Sequence, residues 1–240
     1  MGASPALAAP NRCRRPELMD QPGLGAAEHA RALEGLRRIN RISQSAAMYW
    51  PKLCMFANAG CGETLRVLDL ASGGGDVAIS LVRRARRSGL DLLVEGCDKS
   101  SEATLFARDR ASSCGTPIRF FTLDVLKDEI PSGYDVIMTS LFLHHLDEPD
   151  AVALLARMAR AALRGILIND LVRGPLEYAL AWAGCRLLSR SRIVHHDGPV
   201  SVLAAFTIPE AYRLAELACL EGVQIRRHWP GRFLLSWSRR

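Results

Sequence analysis

Two hydrophobic rhythms alternate along this chain. Residues 66–71, 92–97, 118–123, 134–139 and 165–168 are short runs with apolar residues on both faces. Such runs predict strands of a central parallel sheet covered by helices. Between the fourth and fifth run, Ala151, Leu154, Leu155, Met158, Ala159 and Ala162 recur at helical spacing. Asp147 is placed to cap that helix, with Pro149 in its first turn. Leu176, Ala179, Leu180, Ala183 and Leu187 mark a further helix. Thr207-Ile208-Pro209-Glu210 reads as a capping box opening a helix to about Leu220. Residues 223–228 and 233–237 then read as strands joined by a turn at Pro230-Gly231. Upstream, residues 26–48 predict one helix, with Leu33, Leu36, Ile39 and Ile42 on one side. Residues 1–25, rich in Ala, Pro, Gly and Arg, predict a flexible tail, with 16–20 ordered against the domain.

Strand–helix alternation of this kind predicts an α/β, doubly wound, Rossmann-like sheet with helices on both faces. The 240 residues are 49% hydrophobic, enough for one core, so 26–240 is expected to be a single domain. It divides into an N-terminal helical lid (26–60), a core (66–170), and a substrate helix with the closing hairpin (171–240).

Charge and cysteine content narrow the function. The net charge of +6 comes almost wholly from Arg, scattered among acids. Arg83-Arg84, Arg86-Arg87 and Arg226-Arg227 cluster, but no run reaches five like charges, which favours solvated helix faces over a nucleic-acid patch. The seven cysteines, Cys13, Cys54, Cys61, Cys97, Cys114, Cys185 and Cys219, are odd in number and lack CxxC spacing. No disulfide framework, zinc site or other metal centre is expected, and reduced thiols suit the cytoplasm. There is no apolar run of membrane-spanning length and no signal-peptide pattern, and Ala6 breaks the myristoylation pattern after Met1-Gly2.

The chemistry concentrates after the first strand. Asp69-Leu70-Ala71-Ser72-Gly73-Gly74-Gly75-Asp76 forms a glycine bend leading into a helix. Without a Cβ, such a bend lets the backbone approach a ligand at the carboxyl end of the sheet. A dinucleotide fingerprint would need glycine at 71, 73 and 76, where Ala71, Gly73 and Asp76 stand. Asp98 ends the second strand, where a carboxylate can accept from ribose hydroxyls, and Asp124 ends the third, where it can accept from an adenine amino group. Carboxylates at three successive strand tips suit a cationic sulfonium and repel a pyrophosphate.

This run resembles motif I of the class I S-adenosylmethionine-dependent methyltransferases, with Ala71 replacing the first glycine. Asp98 matches that family's ribose acid and Leu123-Asp124-Val125 its adenine-side motif. Tyr134-Asp135-Val136-Ile137-Met138 is similar to the fourth strand, and Leu143-His144-His145-Leu146 to an ending frequent in the quinone-biosynthesis subgroup. The resemblance implies strand order 3-2-1-4-5-7-6 with the last strand antiparallel. It also implies S-adenosylmethionine as cofactor, with S-adenosylhomocysteine as product, held by Asp69, Ala71, Ser72, Gly73, Gly75, Asp98, Lys99, Asp124, Val125 and Ser140.

For the acceptor, the expectation is a small aromatic or polyketide-like secondary metabolite, methylated on oxygen or carbon by a monomer or homodimer. A hydroxyl acceptor must lose a proton, and histidine is the natural base. His196 and His145 are the candidates. The first lies in His195-His196-Asp197-Gly198, read as a helix exit with a sharp turn at Gly198. The second lies beside the expected crevice. Asn169-Asp170 ends the fifth strand and His228 and His29 read as surface residues. Tyr178 and Trp182 sit in a helix that could roof an apolar substrate. A nucleic-acid methyltransferase is the alternative, weakened because no Asn/Asp-Pro-Pro-Tyr/Phe tetrad follows the fourth strand. A non-catalytic adenosyl-cofactor binding protein and a nicotinamide oxidoreductase are the others.

Overall fold

A computed structural model describes residues 11–20, 25–60 and 62–239. The remainder of the expected tail (1–10 and 21–24), Cys61 and the His29 side chain lie outside the described residues. Seven strands form one sheet: β1 (Leu65–Leu70), β2 (Leu92–Asp98), β3 (Arg119–Thr122), β4 (Tyr134–Ser140), β5 (Ala162–Leu171), β6 (Gln224–His228) and β7 (Arg232–Ser238). Their order is β3-β2-β1-β4-β5-β7-β6. The first five are parallel, and β7 runs antiparallel to both β5 and β6. This is the expected Rossmann-like arrangement. The register pairs Leu171 with Arg232, which sets the first residue of β7 at the carboxyl end of β5.

Among the described residues, eight α-helices accompany the sheet: α1 (Ala26–Ile42), α2 (Ser45–Asn58), α3 (Asp76–Ser88), α4 (Ser101–Ser113), α5 (Glu148–Ala161), α6 (Pro175–Leu188), α7 (Arg192–Ala204) and α8 (Ile208–Leu217). Local chemistry sets their ends. Asp147 accepts from the Asp150 N–H at the start of α5, and Thr207 with Glu210 forms the capping box of α8. At α3, Gly75 begins and Gly89 ends the helix in left-handed conformation, with Arg86 and Arg87 favourably placed in its last turn.

The core has two layers. On one face Leu155 and Met158 of α5 and Leu214 of α8 meet Leu68, Ile137, Ile166 and Phe233. On the other, Leu53 and Phe56 of α2, Leu81 of α3 and Ala107 of α4 meet Val67, Val94, Val136 and Leu167. A smaller cluster joins Ala32 of α1, Cys185 of α6 and Ile193 and Val194 of α7, with Leu18 and Met19 against it.

The expected single helix over 26–48 is two helices. The Ser43 hydroxyl donates back to the Ile39 carbonyl at 2.9 Å, and Gln44 adopts φ 53°. A serine side chain competing with the helical ladder, followed by a left-handed residue, ends α1 and redirects the chain. The second correction concerns residues 192–204. His195-His196-Asp197-Gly198 is not a helix exit but the middle of α7, which continues through Pro199. Gly198 serves packing, not a turn. The third concerns the tail. Residues 11–19 lie docked: the Cys13 N–H donates to the Leu203 carbonyl at 3.0 Å, and Arg12 to the carbonyls of Ala204, His144 and Leu146. The Asp197 carboxylate accepts from the Leu18 and Met19 N–H groups at 2.8 and 3.0 Å.

Candidate active site

The carboxyl ends of β1, β2, β4 and β5 open into a cavity of about 1180 Å³, roofed by α1, α6, α7 and residues 14–19. Every expected cofactor residue except Gly75 lines it: Asp69, Ala71, Ser72, Gly73, Asp98, Lys99, Asp124, Val125 and Ser140. Gly75 is buried behind the bend. A Cβ there would lie 2.6 Å from the Phe120 ring, at a residue with φ 69°, so this glycine lets the bend close onto β3 instead of touching a ligand. Gly74 takes its place in the cavity wall.

The three acids at strand tips differ. Asp98 Oδ2 accepts from the Gly73 N–H at 2.8 Å and Oδ1 from the Ser100 N–H at 2.9 Å. Each oxygen keeps a second lone pair for a ligand. Asp124 accepts from the Leu126 N–H and pairs with Lys127 at 3.2 Å. The Leu126 N–H, then Lys127 and Lys99, outweigh its desolvation and hold its carboxyl below the usual range. Asp69 is 1% exposed, and its Oδ1 has no hydrogen-bond partner, as is true of the Ser72 hydroxyl. Burial, then Asp76 and Asp98, raises the Asp69 carboxyl well above its ordinary value. A buried carboxyl with an orphaned oxygen on a cavity wall, among further acids, suits a cationic ligand. The donor set therefore fits an adenosyl sulfonium.

The histidines follow a different division. Leu143–His145 forms a 3-10 turn after β4. His144 Nδ1 lies 2.6 Å from Asp170 Oδ1, and its backbone N–H donates to Asp170 Oδ2 at 3.0 Å. Its Nε2 is 3.7 Å from Glu17, and His145 Nε2 is 3.9 Å from the same carboxylate. Burial opposes the charge on His144, but Asp170 and Glu17 overcome it and raise the imidazole to about 10. The same contacts outweigh desolvation and lower both Glu17 and Asp170. His144 is thus an imidazolium clamped between two carboxylates, while His145 is half-buried and lines the cavity beside Glu17. Asp170, expected only as a strand end, is the anchor of this group.

His196 is a correction. It lies on the exposed side of α7, paired with Asp197 at 2.9 Å, and does not line the cavity. The sharp turn expected at Gly198 is absent, because α7 runs unbroken from Arg192 to Ala204. Tyr178 and Trp182 also face outward, and α6 roofs the cavity through Leu180, Ala181, Gly184 and Leu188. Sequence reading missed Glu17, Asn40, Asp76 and Arg232, all in the cavity wall. Asp76 closes the glycine bend and could have been read from it, whereas no local pattern marks Glu17, Asn40 and Arg232, which converge from distant parts of the chain.

Residues 67–165 match a family described as a methyltransferase domain. That stretch runs from β1 into β5 and carries the glycine bend and the acids at three strand tips. Residues 67–165 are similar to a methyltransferase domain, within a sheet of Rossmann-like order. The curated ubiquinone biosynthesis O-methyltransferase of Aeromonas salmonicida (strain A449) is 27% identical to this chain over 128 residues, 52% of this chain and 51% of that protein. The chain spans about half the length of the curated relatives it matches. The S-adenosylmethionine-dependent methyltransferase SibL shares the fold at TM-score 0.67 and 19% identity, over 96% of this chain and 63% of that one. Human N-acetylserotonin methyltransferase, solved with S-adenosylmethionine, does so at TM-score 0.62 and 16% identity, over 88% and 56%. Among the described residues, no helix of this chain is long and apolar enough to cross a membrane.

Proposed function

We propose that this chain moves the S-methyl group of S-adenosylmethionine to a small apolar acceptor, an aromatic or polyketide-like secondary metabolite, on oxygen or carbon. One observation carries the reading. A single cavity is lined by Asp69, Asp98 and Asp124 in one part and by Leu33, Leu36, Ile39, Leu180 and Val202 in another. The acids suit a polar, cationic nucleoside, and the aliphatic wall suits an apolar partner.

A bound sulfonium brings an already activated methyl group. The chain's own contribution is then alignment and water exclusion. Asp98 would accept from the ribose hydroxyls, and Asp124 with Val125 would meet the adenine edge. Asp69 faces the positive charge, and Ala71, Ser72, Gly73, Lys99 and Ser140 shape the surrounding wall. A hydroxyl acceptor also needs its proton removed, and His145, on the cavity wall beside Glu17, is the residue we assign to it. The O-methyltransferase relatives favour oxygen over carbon. The reading includes a cytoplasmic monomer or homodimer without a nucleic-acid partner. The free thiols of Cys54, Cys97 and Cys185 support the reducing compartment.

Calorimetry with S-adenosylhomocysteine, followed by turnover of a panel of phenols and polyketide-like acceptors, tests it. Micromolar cofactor uptake with S-adenosylhomocysteine release is expected. Absence of uptake would overturn the reading, and uptake without turnover of any acceptor would leave a non-catalytic binding protein.

A further inference from the structure

Arg232 opens β7 and is 3% exposed, yet it lines the cavity. Its Nη2 donates to Asn40 Oδ1 at 2.9 Å and its Nη1 to the Ser45 hydroxyl. Both acceptors are neutral. Among the described residues no carboxylate lies within ion-pairing distance of it. The nearest acids are otherwise engaged. Both Asp170 oxygens serve His144, and Asp76 is hydrogen-bonded by Asn40. Burial pulls the guanidinium down to about 10, against the opposing influence of Asp170, Tyr49 and Asp76, so it stays charged at neutral pH.

A buried cation without a counter-ion is costly, and proteins normally pair it. The fork of a guanidinium matches a carboxylate in two parallel hydrogen bonds. The α1–α2 break puts Asn40 and Ser45 on this guanidinium, so its aim is fixed before any ligand arrives.

We infer that Arg232, held by Asn40 and Ser45, is a carboxylate-binding subsite in the wall of the methyl-transfer cavity. The carboxylate belongs either to the amino-acid tail of the cofactor or to an acidic group on the acceptor. The inference rests on the cofactor reading above for the identity of the cavity, and the two fail separately.

The test is calorimetry on the full chain. S-adenosylhomocysteine, its methyl ester and 5′-methylthioadenosine are titrated into wild type, Arg232→Met and Arg232→Lys. Benzoate and methyl benzoate are then titrated into the S-adenosylhomocysteine complex. If the cofactor supplies the carboxylate, Arg232→Met weakens S-adenosylhomocysteine by about 10-fold or more, while 5′-methylthioadenosine is unchanged. If the acceptor supplies it, S-adenosylhomocysteine is unchanged and benzoate binding is lost. Should Arg232→Met not fold, the wild-type comparison of each acid with its ester decides, an acid preference of about 10-fold supporting the subsite. Equal binding of acid and ester in both series, or no change in either with the variants, overturns it. Failure of 5′-methylthioadenosine to bind wild type instead refutes the cofactor reading.

Discussion

Gly198 of α7 faces Cys185 of α6 so closely that a Cβ on Gly198 would stand 2.2 Å from the Cys185 sulfur. Cys185 is buried, so the sulfur has little room to swing aside. Gly198→Ala is therefore expected to destabilise the fold by about 1–3 kcal/mol through overpacking. Cys185→Ala in the same chain should recover much of that loss, a coupling that denaturant titration of the two singles and the double would read. Additive effects would mean that the two helices do not meet at this point.

The clamp on His144 makes stability depend on pH. Its imidazole is raised from 6.5 to about 10, so its contribution is complete below about pH 6.5 and is lost as pH rises toward 10. Asp170 and Glu17 are both lowered, so theirs is present above their ordinary values and is lost as pH falls below them. Wild type should lose stability steadily from pH 7 to pH 10. Asp170→Asn should cost about 3–5 kcal/mol at pH 6.5 and flatten that slope. A variant with the wild-type slope, measured by chemical denaturation across this range, would refute the clamp.

Asp98 holds the Gly73 and Ser100 N–H groups while keeping lone pairs for a ligand. Asp98→Ala should weaken S-adenosylhomocysteine by about 10-fold or more, from loss of charge-assisted hydrogen bonds. Calorimetry checks this, and wild-type affinity would remove Asp98 from the site.

Legibility followed distance along the chain. Asp69, Asp98 and Asp124 could be found because each stands at or near the end of an apolar run, and a parallel sheet brings strand tips to one edge. The glycine bend was equally plain, but the separate duty of Gly75 depends on Phe120, which sequence does not set beside it. Residues 192–204 were misread because Gly198-Pro199 has the local signature of a turn. The contact that favours glycine there is made with another helix. Arg232, Asn40 and Glu17 were invisible for the same reason. Each carries its meaning through partners brought close only by the fold.

His145 and His196 separate the inner from the outer face of the roof. His145 lines the cavity beside Glu17, and His196 is exposed beyond it. General-base catalysis contributes about 10²–10⁴-fold, so His145→Ala should cut turnover of a phenolic acceptor within that range. Cofactor affinity should hold, because no strand-tip acid depends on His145. His196→Ala should leave both turnover and affinity near wild type. Release of S-adenosylhomocysteine, followed by mass spectrometry with whichever acceptor the panel yields, measures the first quantity, and calorimetry the second. A large rate loss in His196→Ala with none in His145→Ala would reverse the assignment. It would require α7 to turn a face inward that this structure keeps in solvent. An acceptor methylated on an arene carbon should be less sensitive to His145→Ala than one methylated on a phenol oxygen, since the ring proton leaves after the methyl group has arrived.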